Sequence, residues 1–208
     1  YPVCREDARE RQDAQHRAAV DEGRAGRAGT RVLVEALAEQ GEDFDAETGY
    51  RIAHYRAPVP RTVPGGTPVD MEQIDQLVAT EGALLLDVMP SEGPGADPLT
   101  GVWRLAKPHT TIAGAVWLAD VGRGRIDQRL DAYFRDNLAR LTGGDTARPI
   151  VIFCQADCWM AWNAVQRAAK WGYSRLYWYR DGIDGWRDWE RPLAPASPVP
   201  MQPASGAR

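Results

Sequence analysis

The segment Pro149-Ile150-Val151-Ile152-Phe153-Cys154-Gln155-Ala156-Asp157-Cys158-Trp159 constrains the fold more than any other part of the chain. A short apolar run bounded by a proline reads as a buried strand. It ends on a cysteine, crosses a few polar residues and enters a helical pattern from Trp159 to Trp171 that Gly172 closes. Strand, tight loop and helix in that order imply a layered α/β domain. They also set Cys154 opposite the backbone N–H groups of a helix start, where partial positive charge favours a thiolate. Cys158 follows one helical turn later.

The rest of the chain repeats this alternation. Asp70 is placed to N-cap a helix, with Gln73 completing a capping box and Met71, Ile74, Leu77 and Val78 forming its apolar stripe. Ala83 to Val88 is a core strand and Ala115 to Leu118 a shorter one. Ile126, Leu130, Tyr133, Phe134, Leu138 and Leu141 mark an amphipathic helix that Gly143-Gly144 ends. Arg175 to Tyr179 is a further strand. The expected architecture is α/β, three layers around a mostly parallel sheet. Arg61 to Pro68 reads as a Pro/Gly linker, and Gly182 to Trp186 as a glycine-rich turn. Before the domain, residues 1–48 form a charged or helical arm, interrupted by Gly23, Gly26 and Gly29. The domain proper is expected over 49–193. Pro, Ala and Ser dominate from Pro192, so residues 194–208 are expected to be a disordered tail.

Composition excludes several classes of function. The net charge is −4 and no basic stripe appears, so nucleic-acid binding is not expected. No apolar run approaches the roughly 20 residues that span a bilayer. The chain opens on Tyr1 rather than Met, as a processed or trimmed product would. Three cysteines do not make a disulfide scaffold; two share one loop and Cys4 stands apart. Two thiolates supply half of a tetrahedral metal site, but His16, His54 and His109 are scattered and none lies at ligand spacing. Neither metal nor cofactor is expected.

Phe153-Cys154, Trp171-Gly172-Tyr173, Leu176-Tyr177-Trp178-Tyr179 and Gly182-Ile183-Asp184-Gly185-Trp186 together resemble the C-terminal half of a rhodanese domain. Asp87-Val88 is similar to the end of that family's first core strand, and Thr111-Ile112-Ala113-Gly114-Ala115 to its Gly-His-Ile-Pro-Gly-Ala turn. Gly49-Tyr50-Arg51, Tyr55-Arg56-Ala57-Pro58-Val59-Pro60, Trp103-Arg104, Tyr133-Phe134-Arg135, Cys154 to Asn163 and Asp181 to Trp186 resemble a narrower group. That group is the periplasmic rhodanese-like subfamily named for a cysteine–cysteine–tryptophan motif and associated with PQQ-dependent catabolism. The likeness runs from Gly49 to Leu193. It implies a periplasmic location, Cys154 as the catalytic residue with Cys158 beside it, and a sulfur-cradling loop of Gln155, Ala156, Asp157 and Trp159, with Trp186 close by. It further implies sulfur donors and acceptors or thiol proteins as partners, with a PQQ-dependent dehydrogenase or its cytochrome in the same pathway.

Departures from the general rhodanese pattern shape the chemistry. Trp159 stands where an arginine is usual five residues after the cysteine, Met89 where an arginine follows Asp-Val, and Thr111 where a histidine is usual. Three residues separate the cysteines, against the two of the subfamily motif. Asp157 and Trp159 push the thiol pKa up relative to an arginine-bearing loop. Persulfide transfer by a sulfurtransferase and thiol–disulfide exchange both suit the pair. A non-catalytic binding or maturation partner for a dehydrogenase or its cytochrome is the alternative. The loop Pro90 to Thr110, carrying Trp103, Lys107 and His109, is either a flap that lends the cysteines a cation or a surface insertion packed on the N-terminal arm. Asp87 is expected to be structural.

Overall fold

Apolar runs and amphipathic stripes of the sequence resolve into a parallel sheet with helices on both faces in a computed structural model, which describes residues 41–203. In chain order the elements are β1 (Thr67–Val69), α1 (Met71–Glu81), β2 (Leu84–Asp87), β3 (Gly95–Ala96), β4 (Trp103–Arg104), β5 (His109–Ile112), β6 (Val116–Trp117), α2 (Gln128–Thr142), β7 (Ile150–Phe153), α3 (Trp159–Lys170), β8 (Leu176–Tyr179), α4 (Gly182–Asp188) and β9 (Leu193–Ala196). The main sheet has the order β1-β8-β7-β2-β6. Every pairing in it is parallel. Of the arm expected over residues 1–48, residues 1–40, with Cys4 and His16, lie outside the described residues, and the compact unit that holds the sheet begins at Asp43.

All four residues of β2 and of β7 are buried, as continuous apolar strands covered on both faces must be. On one face Ile74 and Leu77 of α1 meet Leu85, Val151, Phe153 and Tyr179, with Ile183 and Trp186 of α4. The capping box is as the sequence indicates: Asp70 accepts from Gln73 N–H, and the Gln73 side chain accepts from Asp70 N–H. On the other face α3 packs on β7 and β8.

Helix α3 is buried on all sides from Trp159 to Ala168, which an amphipathic helix on a sheet would not be. Its outer side is covered by two stretches of irregular chain. Asn163 accepts from Arg51 N–H at 2.9 Å and donates to Arg51 O at 2.8 Å and Gly122 O at 2.9 Å. Arg167 donates to the carbonyls of Val121, Arg123 and Gly124. Trp162 Nε1 donates to Thr62 O. The segment before the sheet is therefore part of the core.

Three expectations are corrected. The stretch read as a linker ends in β1, an edge strand on β8, where Pro68 is tolerated because only one side of the strand is paired. The long loop contains the β3–β4 hairpin and the start of β5. Residues 194–203 are not a disordered tail. β9 pairs antiparallel with β5 from Ile112↔Leu193 to His109↔Ala196. Val199 N–H then bonds to Trp117 O, and Met201 N–H to Gly101 O. Among the described residues no helix is long and apolar enough to cross a membrane.

Candidate active site

Cys154 is the first residue beyond β7, at the carboxyl edge of the sheet. The chain then turns sharply through Asp157, whose φ of 49° lies in the left-handed region that Asp tolerates better than most residues. It straightens at Cys158, the N-cap of α3. Two outside segments clamp this loop. From α4, Ile183 N–H donates to Cys154 O at 2.9 Å, and Ala156 N–H donates to Asp184 Oδ2 at 3.1 Å. Gly182 pairs with Gln155 there, and a Cβ on it would lie 2.4 Å from Cys154 O. From the N-terminal side, Ala57 N–H donates to Asp157 O at 3.0 Å and Trp159 N–H to Tyr55 O at 2.9 Å. These two bonds flank an antiparallel bridge between Arg56 and Cys158.

Both sulfurs are free thiols and are nearly covered, Cys154 at 2% exposure and Cys158 at 3%. Beside each other at the helix start, the two thiols shift in opposite directions. Full burial pushes the Cys154 thiol well above its ordinary range, and the neighbouring Cys158 adds to the shift. Its surroundings agree, for Cys154 Sγ lies 3.4 Å from Cys158 O and 3.7 Å from Gln155 O, acceptors that suit S–H and repel S⁻. The Cys158 thiol is pulled down, chiefly by the hydrogen bond from Cys154 and against the cost of burial. Cys158 forms no capping hydrogen bond of ordinary geometry, yet the Met160 N–H at the helix start still lowers its pKa, as does the charge of Arg56. Within the pair the proton is held more tightly by Cys154, where burial outweighs the Ala161 and Gln155 N–H groups that favour its thiolate.

Residues 70–188, more than half of the chain, match the rhodanese-like domain family. The chain belongs to the rhodanese-like family. No curated protein matches it in sequence. Among solved structures it is similar to a full-length protein from Lactobacillus plantarum, with 16% identity, a TM-score of 0.39 and coverage of 62% of this chain and 87% of that one. It is also similar to the polysulfide-sulfur transferase homodimer of Wolinella succinogenes, with 16% identity, a TM-score of 0.41 and coverage of 62% and 79%. A third similarity is to EanB in complex with hercynine, with 19% identity, a TM-score of 0.43 and coverage of 75% and 37%.

Within this rhodanese-like domain the other residues singled out from sequence separate into two groups. Gln155, Ala156 and Asp157 form the loop itself. Trp159 does not face it: its ring is 3% exposed and stands edge-on to Phe44 at 5.3 Å and to Trp162 at 5.0 Å. The Arg51 guanidinium lies 4.8 Å from the Trp159 ring centre, and Trp159 Nε1 is buried without a hydrogen-bond partner. Trp186 packs on Tyr179 and donates to Pro192 O. Lys107 pairs with Glu92 at the surface. His109 bonds to the buried Asp87 at 2.7 Å and stacks on Trp117. Asp87 is in register with Phe153, so it points to the face opposite that of Cys154. The long loop is anchored on the C-terminal segment, through Gly101 to Met201 and Trp103 Nε1 to Val199 O, and not as a flap on the cysteines; packing on the N-terminal arm concerns residues outside those described. No hydrogen bond or ion pair among the described residues joins Lys107 or His109 to either sulfur. The cation beside the pair comes instead from Arg56. Tyr55 to Pro60 enters the sequence reading only through the subfamily likeness, and spacing alone does not tell where such a stretch lands.

Proposed function

We propose that this domain transfers sulfane sulfur through its cysteine pair, with Cys158 as the attacking thiolate and Cys154 as the resolving thiol. The observation that carries the reading is the buried pair of free cysteines, Cys154 and Cys158, at a strand end and the following helix start in a rhodanese-like domain. Cys158 S⁻ attacks the sulfane sulfur of a donor; the new S–S bond forms as the donor fragment leaves with the electron pair of the broken bond. The resulting Cys158 persulfide has two exits. An acceptor thiolate takes the outer sulfur, restoring Cys158 S⁻. Otherwise Cys154, deprotonated, attacks Cys158 Sγ, expels hydrosulfide and closes a disulfide, which a thiol protein then reduces with two electrons. The second exit makes the domain a thiol–disulfide oxidoreductase as well. A periplasmic setting in support of PQQ-dependent alcohol oxidation belongs to the same proposal and rests on the subfamily likeness.

The test is intact-mass analysis of the reduced protein after brief exposure to inorganic polysulfide. The expected result is the addition of one sulfur mapping to Cys158 in Cys154→Ser, and a disulfide in the wild type. A second reading, a non-catalytic maturation partner of a PQQ dehydrogenase or its cytochrome, is favoured by the near-complete burial of both sulfurs. Absence of both adduct and disulfide, with the fold intact, selects it.

A further inference from the structure

We propose that Arg56, on the strap Tyr55–Ala57, recognises the anionic end of the sulfur donor at the cysteine site. The proposal rests on the sulfur-transfer reading and adds to it a specificity-determining residue, Arg56, for donors whose sulfane sulfur is attached to an anionic group, such as thiosulfonates, thiosulfate and polysulfides. Arg56 lies outside the residues matched by the family, 70–188, within the Tyr55 to Pro60 stretch of the subfamily likeness.

The backbone geometry fixes the placement. Ala57 N–H bonds to Asp157 O, and Trp159 N–H bonds to Tyr55 O, one on each side of the Arg56–Cys158 bridge. In an antiparallel ladder that pattern makes Arg56 and Cys158 a non-hydrogen-bonded pair. The Cα atoms of such pairs are about 4.5 Å apart and their side chains emerge on the same face. Arg56 is exposed while Cys158 is buried, and the charge of Arg56 acts on the Cys158 sulfur.

Three cations elsewhere in the domain are paired. Arg51 is held by Asp43, Arg187 by Asp184, and Lys107 by Glu92. Arg56 forms no ion pair and no side-chain hydrogen bond among the described residues, although the exposed Asp157 lies one residue from its bridge partner. A guanidinium left without a carboxylate beside a reactive thiolate has its planar donor fork free for the oxygens or terminal sulfur of an incoming anion. It supplies in space the charge that the loop lacks in sequence at Trp159.

The experiment compares alkylation of the reduced full chain by iodoacetate, an anion, and by iodoacetamide, its neutral counterpart. Both are run at one pH and low salt, with the labelled cysteine mapped by mass. The ratio of the two rates cancels any change in thiol access or in thiolate population. Arg56→Gln is expected to lower the iodoacetate-to-iodoacetamide ratio roughly tenfold, the size of one lost charge-assisted hydrogen bond. Arg56→Lys is expected to recover most of it, and added salt to erase the difference. An equal ratio in wild type and Arg56→Gln overturns the proposal. So does a native protein whose Cys158 resists both reagents, because such a site admits no donor. Sulfane-sulfur loading is then compared between thiosulfate, which leaves sulfite and gives the persulfide, and a neutral organic trisulfide, which leaves a thiolate and gives a mixed trisulfide. Loading from neither donor, with the alkylation ratio behaving as expected, defeats sulfur transfer while leaving anion recognition by Arg56 in place. Loss of loading in Arg56→Gln from thiosulfate alone supports both.

Discussion

Cys158 is favoured as the thiolate by a hydrogen bond, a helix start and a guanidinium at once, and these contributions can be removed one at a time. Cys154→Ala deletes the thiol that donates to it. A hydrogen bond to a charged group contributes about 1.5–3 kcal/mol, which corresponds to about one to two pKa units. The Cys158 pKa is depressed, so losing the donor moves it upward: the midpoint of the alkylation rate against pH rises, and reactivity at neutral pH falls. An unmoved midpoint would show that the Cys154 proton does not stabilise Cys158. Trp159 is the residue at which sequence alignment and side-chain placement part company. Its position matches that of the arginine usual in rhodaneses, but its ring fills a core of Phe44 and Trp162 under Arg51. Sequence therefore suggests that Trp159→Arg restores anion binding, whereas the structure sets a second guanidinium, buried, against Arg51. Burying an unpaired charge is among the few substitutions that cost more than about 3 kcal/mol. The expected outcome is a large fall in the urea midpoint and no gain in thiosulfate turnover.

Among the elements, those with a full period of apolar residues were legible: α1 with its capping box, α2 up to Gly143, α3, and the buried strands β2, β7 and β8. The short strands were not. β1 has three residues including Pro68, and β3 and β4 have two each; pairing with a partner makes them strands, and pairing leaves no local period. β9 hides in a Pro-rich stretch for the same reason, with Pro195 opposite Thr110. The glycine-rich turn of Gly182 to Trp186 proved to be the start of a seven-residue helix, held down by Ile183 and Trp186. Gly182 shows what such a short element does for the site. Its φ is +56°, and its missing side chain lets Cys154 O approach Ile183 N–H. Gly182→Ala combines left-handed backbone strain of about 1–3 kcal/mol with a clash against backbone. The loop has to shift to relieve it. The expected result is a lower urea midpoint at unchanged m-value, together with faster alkylation of the cysteines as the clamp loosens. A midpoint like that of wild type would mean the loop is not held by α4.

At the scale of the molecule, the family-matched stretch and the folded unit have different boundaries. The match begins at residue 70, whereas the compact unit begins at Asp43. The chain between them holds Arg51, Arg56 and Thr62, and it is this stretch that buries the outer side of α3. Nothing in the periodicity of α3 announces such a cover, although Trp162 and Asn163 on one helix were a hint that more than a sheet was needed to satisfy them. Removing residues 43–69 strips β1 from the sheet, takes both Arg51 partners from Asn163 and leaves Trp162 Nε1 without one. Each orphaned polar group that stays buried costs about 1–3 kcal/mol, against a total stability of about 5–15 kcal/mol for an ordinary domain. Apolar surface on α3 is exposed as well. A fragment of residues 43–208 is therefore expected to unfold in one cooperative transition followed by tryptophan fluorescence, whereas a fragment of 70–208 is expected to show none and to bind a hydrophobic dye. A sharp transition at the same midpoint in both fragments would mean that the strap is an accessory laid over a finished domain. In that case Arg56 would be displaceable with it, and the cysteine pair would be open by default rather than by movement of the strap.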